Sequence, residues 1–350
     1  MNHKLACPII AAPMAGGVST PALAAAVSNA GGWGFLAGGY KTASAMQAEI
    51  EALRELTGAP FGVNLFVPGG ESVDEGLLAS YAERMRGEAQ HYGVLPGEAR
   101  YDDDEWERKL QVLMKLHVPV VSFTFGCPSP DIVKELQQAG STVIVTVTTP
   151  EEAEVAVEAG ADALCVQGGE AGGHQGSFGN ALPDPEPIGL LVLLGQIRKA
   201  VSVPLIAAGG LMHGADVAAV LSAGACAAQL GTAFLLCPES GTHRVHRAAL
   251  TDGRYSGTAL TRAFTGRRAR GLVNRFMNEY PDAPAAYPQL HHLTRPIRKA
   301  AGDKGDAEAM SLWAGQGYRL ARELPASELV DVLLREAGEA IAQGAVRLPS

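Results

Sequence analysis

Short apolar runs alternate with alanine-rich amphipathic stretches about eight times along roughly the first 235 residues, and that alternation leaves few folds open. The predicted strands are Pro8–Ala12, Gly34–Ala37, Gly62–Phe66, Val118–Phe123, Thr142–Thr146, Ala163–Gln167, Pro204–Ala208 and Ala227–Leu230. Helix-period stretches such as Pro21–Ala30, Pro150–Ala159 and Ala215–Ala223 separate them. Several of these end in an Ala-Gly pair (Ala30-Gly31, Ala139-Gly140, Ala159-Gly160, Ala223-Gly224), the mark of a helix C-terminus placed just before the next strand. Repeated βα units over this length predict an α/β fold, a (β/α)8 TIM barrel. A doubly wound sheet is the alternative, but it usually carries G-x-G-x-x-G after its first strand. Met14-Ala15-Gly16-Gly17 does not supply it.

Two segments interrupt the repeat. Residues 68–115 are long, polar and charged (Asp102-Asp103-Asp104-Glu105) and read as an inserted helical excursion, part of a lid. Residues 241–350 are largely helical and read as an elaboration packed on the barrel of residues 1–240. With 350 residues and 47% hydrophobic content, the chain can bury a full core without staples. A net charge of −9 argues against a nucleic-acid partner, and the local basic run Arg262 to Arg275 reads as a solvated face or a rim beside the substrate. No run approaches the ~18 apolar residues of a membrane span, and Pro8 and Pro13 break the apolar N-terminal stretch that would otherwise resemble a secretion signal. The five cysteines form no C-x-x-C pair. Cys165 and Cys226 fall in strand-like runs as small buried hydrophobes, which suits a reducing, cytoplasmic setting.

Barrel active sites lie at the C-terminal ends of the strands, so the residues at those ends are the candidates for chemistry. They are Ala12 to Gly16, Asn64, Ser122 to Gly126, Gln167 to His174, Ala208-Gly209-Gly210 and Gln229-Leu230-Gly231-Thr232. The loop from Gly168 to Gly179 is rich in glycine and holds one imidazole, His174. Glycines let backbone N–H groups approach a ligand, and an imidazole can move a proton near neutrality. Gly209-Gly210 and Gln229 to Thr232 fit a phosphate held by backbone amides and a hydroxyl after the last two strands. The amides of Asn64 and Gln167 suit the edge of a heterocycle. His243 and His246 are expected on a helix surface, and His291-His292 in a loop pointing apart. No metal site is predicted.

Together these pieces resemble the nitronate monooxygenase family (formerly 2-nitropropane dioxygenases), class I. The matching stretches are Pro8 to Gly17, Phe61 to Phe66, Gln167 to Phe178, Ala208 to Gly210, Gln229 to Thr232 and Leu312 to Gly317, over nearly the whole chain. The resemblance implies non-covalent FMN, with Met14 and Asn64 near the flavin ring and Gln167 at its polar edge. Gly172, Gly173, Gly209, Gly210 and Gln229, Leu230, Gly231 and Thr232 would line the ribityl and phosphate, with Gly315 and Gln316 closing over the cofactor. His174 would be the catalytic base. The implied reaction is oxidation of alkyl nitronates, and of nitroalkanes, by O2 to a carbonyl compound and nitrite, by a monomer or homodimer. Arg298 and Lys299 are candidates for pairing with the nitro group. FMN-dependent NAD(P)H:quinone and enoyl-thioester reductases share the implied scaffold and are the rival reading. IMP dehydrogenase is disfavoured because Gly168–Gly179 contains no cysteine.

Overall fold

The computed structural model describes residues 5–69, 73–180, 182, 183 and 185–347. Its strands are β1 (Ile9–Ala11), β2 (Phe35–Ala37), β3 (Gly62–Phe66), β4 (Val120–Thr124), β5 (Thr142–Val147), β6 (Ala163–Gln167), β7 (Gly173–His174), β8 (Leu205–Ala208), β9 (Ala227–Leu230), β10 (Thr258–Thr261) and β11 (Ala269–Leu272). The α-helices are α1 (Pro21–Asn29), α2 (Ala43–Leu56), α3 (Glu75–Tyr92), α4 (Trp106–Lys115), α5 (Pro130–Gln138), α6 (Pro150–Glu158), α7 (Leu190–Ala200), α8 (Gly214–Ser222), α9 (Arg244–Thr251), α10 (Arg275–Glu279), α11 (Gln289–Asp303) and α12 (Ala326–Arg347).

Eight parallel strands run in the order β1-β9-β8-β6-β5-β4-β3-β2. Backbone bonds from Ala11 N–H to Trp33 O (3.0 Å) and from Trp33 N–H to Ile9 O (3.1 Å) link the two ends of that order, giving the (β/α)8 barrel. Side chains from alternate strand positions fill the interior, among them Ile10, Phe35, Val120, Ile144, Cys165 and Ile206. The opposite faces of the strands pack against the surrounding helices through residues such as Val145, Leu164 and Leu193. Fully buried strands of this kind need apolar residues on both faces, which is why the runs read as continuous hydrophobic stretches.

The helices start and stop where local chemistry dictates. Thr20-Pro21, Ser129-Pro130 and Thr149-Pro150 each place a capping hydroxyl before a proline at the first turn, and each hydroxyl accepts a backbone N–H from that turn. Gly160, at φ +95°, ends α6 in the left-handed conformation that a side chain resists. Cys165 is buried in β6 as expected, whereas Cys226 is exposed because it precedes β9 rather than lying in it.

The stretch of residues 68–115 divides its work. Leu110 and Leu113 of α4 pack on the barrel core beside Val63 and Val121, so α4 occupies the ring position between β3 and β4. α3 instead packs against the C-terminal region, burying Tyr81, Met85 and Tyr92 with Phe264, Phe276 and Ile297. The Tyr81 hydroxyl donates to Ala263 O at 2.7 Å. The C-terminal region is not helices alone. β10 and β11 form an antiparallel hairpin, and β11 pairs with β7, opposing Ala269 to His174 and Arg270 to Gly173.

An ion pair welds α3 to this region: buried Glu88 meets the guanidinium of Arg275 and accepts from the Tyr280 hydroxyl at 3.2 Å. Removing the cation strands a carboxylate in a low-dielectric site. Arg275→Met is expected to lower unfolding free energy by about 2 kcal/mol, less than for a fully buried pair because Arg275 is partly exposed. Adding Glu88→Gln should recover most of the loss, as read by urea unfolding.

Candidate functional site

The strand ends open into a cavity of about 450 Å³ at the C-terminal mouth of the barrel, within the usual range for a small-molecule site. Met14, Asn64, Gln167, Gly172, Gly173, His174, Gly209, Gly210, Gln229, Leu230, Gly231, Thr232 and Gly315 all line it. Gln316 does not. Its backbone N–H donates to Glu170 O at 3.0 Å, pinning the C-terminal segment to the loop after β6.

One side of the cavity is a cradle of main chain. An added Cβ at Gly172 would stand 2.4 Å from the Gly315 nitrogen, so that crossing of two backbones admits only glycine. The Thr232 hydroxyl accepts from Gly315 N–H at 2.9 Å and fixes the same crossing from the β9 side. Asn64 is buried, and its amide nitrogen donates to Ser122 Oγ (2.9 Å) and Thr124 Oγ1 (3.0 Å), leaving Oδ1 without a hydrogen-bond partner among the described residues. Gln167 is used differently from expectation: its Nε2 donates to His174 O at 3.1 Å and its Oε1 accepts from Gly176 N–H at 2.7 Å. It folds the loop that carries the imidazole as well as lining the cavity.

His174 lies in an aromatic box. Its ring centre is 5.5 Å from Phe125, 5.6 Å from Trp313 and 6.0 Å from Tyr287. Phe125 adopts φ +77°, a conformation rare for a bulky residue and typical of strained functional positions. The His174 Nε2 is 2.9 Å from Thr265 Oγ1. Burial, reinforced by the nearby charges of Arg267 and Arg298, pushes the imidazole down to about 3, so it is neutral at physiological pH.

Arg298 enters the cavity from α11. Its guanidinium donates to Thr294 Oγ1 (3.1 Å), Ser311 Oγ (3.4 Å) and His291 O (3.1 Å). Among the described residues no carboxylate pairs with it, and burial lowers it to about 10. A half-buried cation without an acidic partner has donors to offer an anion. Lys299, its companion in the sequence reading, is exposed and pairs with Asp303 at 2.6 Å, away from the cavity.

Three other expectations need correction. His246 is buried and lines the cavity, because α9 turns its face inward rather than to solvent, whereas His243, the α9 N-cap, is exposed as expected and only borders the cavity. His291 and His292 occupy the first turn of α11, not a loop. Nor do their rings point apart: they meet edge to face at 5.3 Å, while His291 stacks on Tyr40 (3.8 Å, 6°) and His292 meets Asp102 at 2.8 Å. The basic run is not a solvated face: Arg262, Arg267 and Arg270 are buried, Arg267 lying 4.1 Å over the Phe125 ring and Arg270 donating to Gly169 O at 2.9 Å. Beyond the Tyr40–His291 stack is a second cavity of about 300 Å³ lined by Lys41, Arg100, Asp102 and Arg295, among others. Tyr40, Thr265 and Tyr287 carried no signal in the sequence, Phe125 fell unmarked within the strand end Ser122 to Gly126, and His291 was read only as a loop residue. Each is brought in by an element remote from the glycine loop.

A barrel with an amide-lined cradle and several imidazoles at its mouth, His174 among the aromatic rings, defines a ligand-binding enzyme site. The comparisons make it specific. The family model described as nitronate monooxygenase matches residues 1–336, and the chain belongs to that family. It is therefore an enzyme, an oxidoreductase of the monooxygenase type. A nitronate monooxygenase of Pseudomonas aeruginosa is 43% identical over 338 residues, 94% of this chain and 95% of that protein. The solved nitroalkane oxidase of Streptomyces ansochromogenes is 56% identical, with a TM-score of 0.92 over 96% of this chain and 97% of that one. FabK from Thermotoga maritima is 28% identical, with a TM-score of 0.77 over 99% and 97% of the two chains.

The buried histidines have a consequence for stability. Burial holds His246 down to about 4, so between pH 6.5 and 4 the unfolded chain binds a proton that the folded chain refuses. Stability is full above pH 6.5 and is lost as pH falls towards 4, by up to about 3 kcal/mol from this group. Thermal unfolding across that window should show the decline, and His246→Gln should make it shallower.

Proposed function

We propose that this protein binds FMN and oxidises alkyl nitronates, and nitroalkanes after deprotonation, with O2 to a carbonyl compound and nitrite. The observation that carries the reading is the juxtaposition, in one cavity, of a neutral imidazole and a half-buried guanidinium without a carboxylate partner among the described residues. A nitroalkane must lose a proton and become an anion, and these two groups serve those two needs. The family membership and the similarity to a solved nitroalkane oxidase support it.

The residues present fit FMN. The Gly172–Gly315 crossing brings two backbones together at the cavity wall only because neither residue has a side chain, and this leaves main-chain groups to line the cavity there. The main chain at Gly209-Gly210 and Gly231-Thr232 suits a phosphate at the ends of β8 and β9. Asn64 Oδ1 offers an acceptor to a heterocycle N–H, and Met14 supplies an apolar contact from the end of β1. When bound, FMN supplies the electron transfer between substrate and oxygen.

The protein's own part is positioning and proton transfer. Arg298 anchors the nitro group and favours its anionic form. His174 takes the α-proton of a neutral nitroalkane, whose C–H pair becomes the C=N bond of the nitronate. Phe125, Tyr287 and Trp313 exclude water from that step, which strengthens both electrostatic contacts.

The first test is to purify the protein, measure bound FMN, and assay nitrite released from a small alkyl nitronate in air. A flavin inert to nitronate but rapidly reduced by NADH or NADPH without air would replace this reading with the reductase. His174→Asn is expected to slow nitroalkane turnover by roughly 10²–10⁴-fold and nitronate turnover much less, since only the former needs a base. Arg298→Met should raise the nitronate KM by about 10- to 100-fold, the weight of a charge-assisted hydrogen bond, with Arg298→Lys in between.

A further inference from the structure

We propose that Thr265 is a positioning residue that fixes the tautomer of His174, holding the proton on Nε2 so that Nδ1 presents its lone pair to the substrate carbon acid. This rests on His174 acting as the base, as proposed above.

The argument is a count of protons around one hydroxyl. Thr265 is 1% exposed, so its polar atoms must find partners within the protein. Its Oγ1 has three neighbours: Arg267 O at 3.2 Å, Arg267 N at 3.4 Å and His174 Nε2 at 2.9 Å. A hydroxyl has one proton and two lone pairs. The Arg267 carbonyl can only accept, and the Arg267 N–H can only donate. With the hydroxyl proton on the carbonyl and one lone pair on the amide, the remaining lone pair takes a proton from Nε2. The imidazole is neutral, so Nδ1 is then unprotonated. No described residue hydrogen-bonds to Nδ1, and the ring lines the cavity.

The backbone makes the arrangement rigid. Thr265 sits in the turn between β10 and β11, where both its own N–H and that of Gly266 donate to Arg262 O (3.1 and 2.8 Å). β11 pairs directly with Gly173–His174, so base and hydroxyl ride on one three-stranded sheet. In the reaction the proton leaves carbon for Nδ1 and the C–H electron pair becomes C=N. The Nε2–H bond to Thr265 persists throughout, and no oxidant is involved. The charged and titratable groups facing the ring are Arg267 from the hairpin, Arg298 and His291 from α11, and Tyr287 ahead of it. None is a carboxylate, so orientation falls to the neutral hydroxyl.

The test uses the FMN-loaded protein and the variants Thr265→Val, which keeps shape without the hydroxyl, and Thr265→Ser, which restores it. Histidine-labelled ¹⁵N spectra, with His174 assigned by its loss in His174→Asn, should show an Nε2–H tautomer in wild type and Ser and a mixture in Val. The kcat/KM for a neutral nitroalkane should fall at least about tenfold in Val, several-fold more than for the preformed nitronate, and recover in Ser. A wild-type ring protonated at Nδ1 overturns the inference, as does an equal loss on both substrates. If His174→Asn still turns over nitroalkane at the wild-type rate, the base assignment itself has failed. The tautomer spectra then decide the Thr265 contact separately.

Discussion

Two residues of backbone pairing hold the site together. Gly173 and His174 form a strand only because β11 lies antiparallel beside them, and Gln175 N–H extends the pairing to Arg268 O at 2.9 Å. Without it the glycine-rich loop after β6 would be a flexible excursion at the barrel mouth. With it, the imidazole is set against Phe125, Tyr287 and Trp313, side chains drawn from three other parts of the chain. Gln167 completes the clamp from inside the barrel by bonding both His174 O and Gly176 N–H. The barrel thus supplies the cradle, and the hairpin fixes the position of His174.

The electrostatics of the mouth follow from what surrounds that clamp. Arg267 and Arg298 both bear on His174, and an aromatic box removes the water that would screen them. A protonated imidazole is strongly disfavoured before substrate arrives. In the reaction proposed above, an anion formed next to Arg298 would give the imidazolium a counter-charge. On that proposal the groups that hold His174 neutral in the resting site would favour proton transfer only together with the product anion.

The barrel and its cradle were legible in the sequence because their signals are local. Each strand is an apolar run bounded by a cap or a glycine, and strand ends in a barrel must converge on one mouth. That is why Met14, Asn64, Gly210 and Thr232 could be placed together although they are far apart in the chain. The aromatic and cationic half of the site carries no such periodicity. Thr265 sits in a basic run that looks solvated until β11 docks on β7 and buries Arg262, Arg267 and Arg270. His246 misled for a related reason: the apolar stripe of α9 is short, and only packing reveals that the imidazole shares its inward face. Arg298 and Lys299 are neighbours in sequence, and the helical rotation between them sends one into the cavity and the other to Asp303.

The order in which these parts leave the ribosome differs from their order in space. The last barrel strand ends at Leu230, so the parallel sheet is complete in sequence while the partner strand of His174 is still untranslated. Gly315, which crosses Gly172, follows 85 residues after Leu230. At bacterial or eukaryotic synthesis rates that interval lasts roughly 4–17 s, long compared with the folding of a small domain. A nascent chain therefore spends seconds with its barrel strands made and its glycine loop unpaired, and the cradle acquires its far wall only near the end of synthesis.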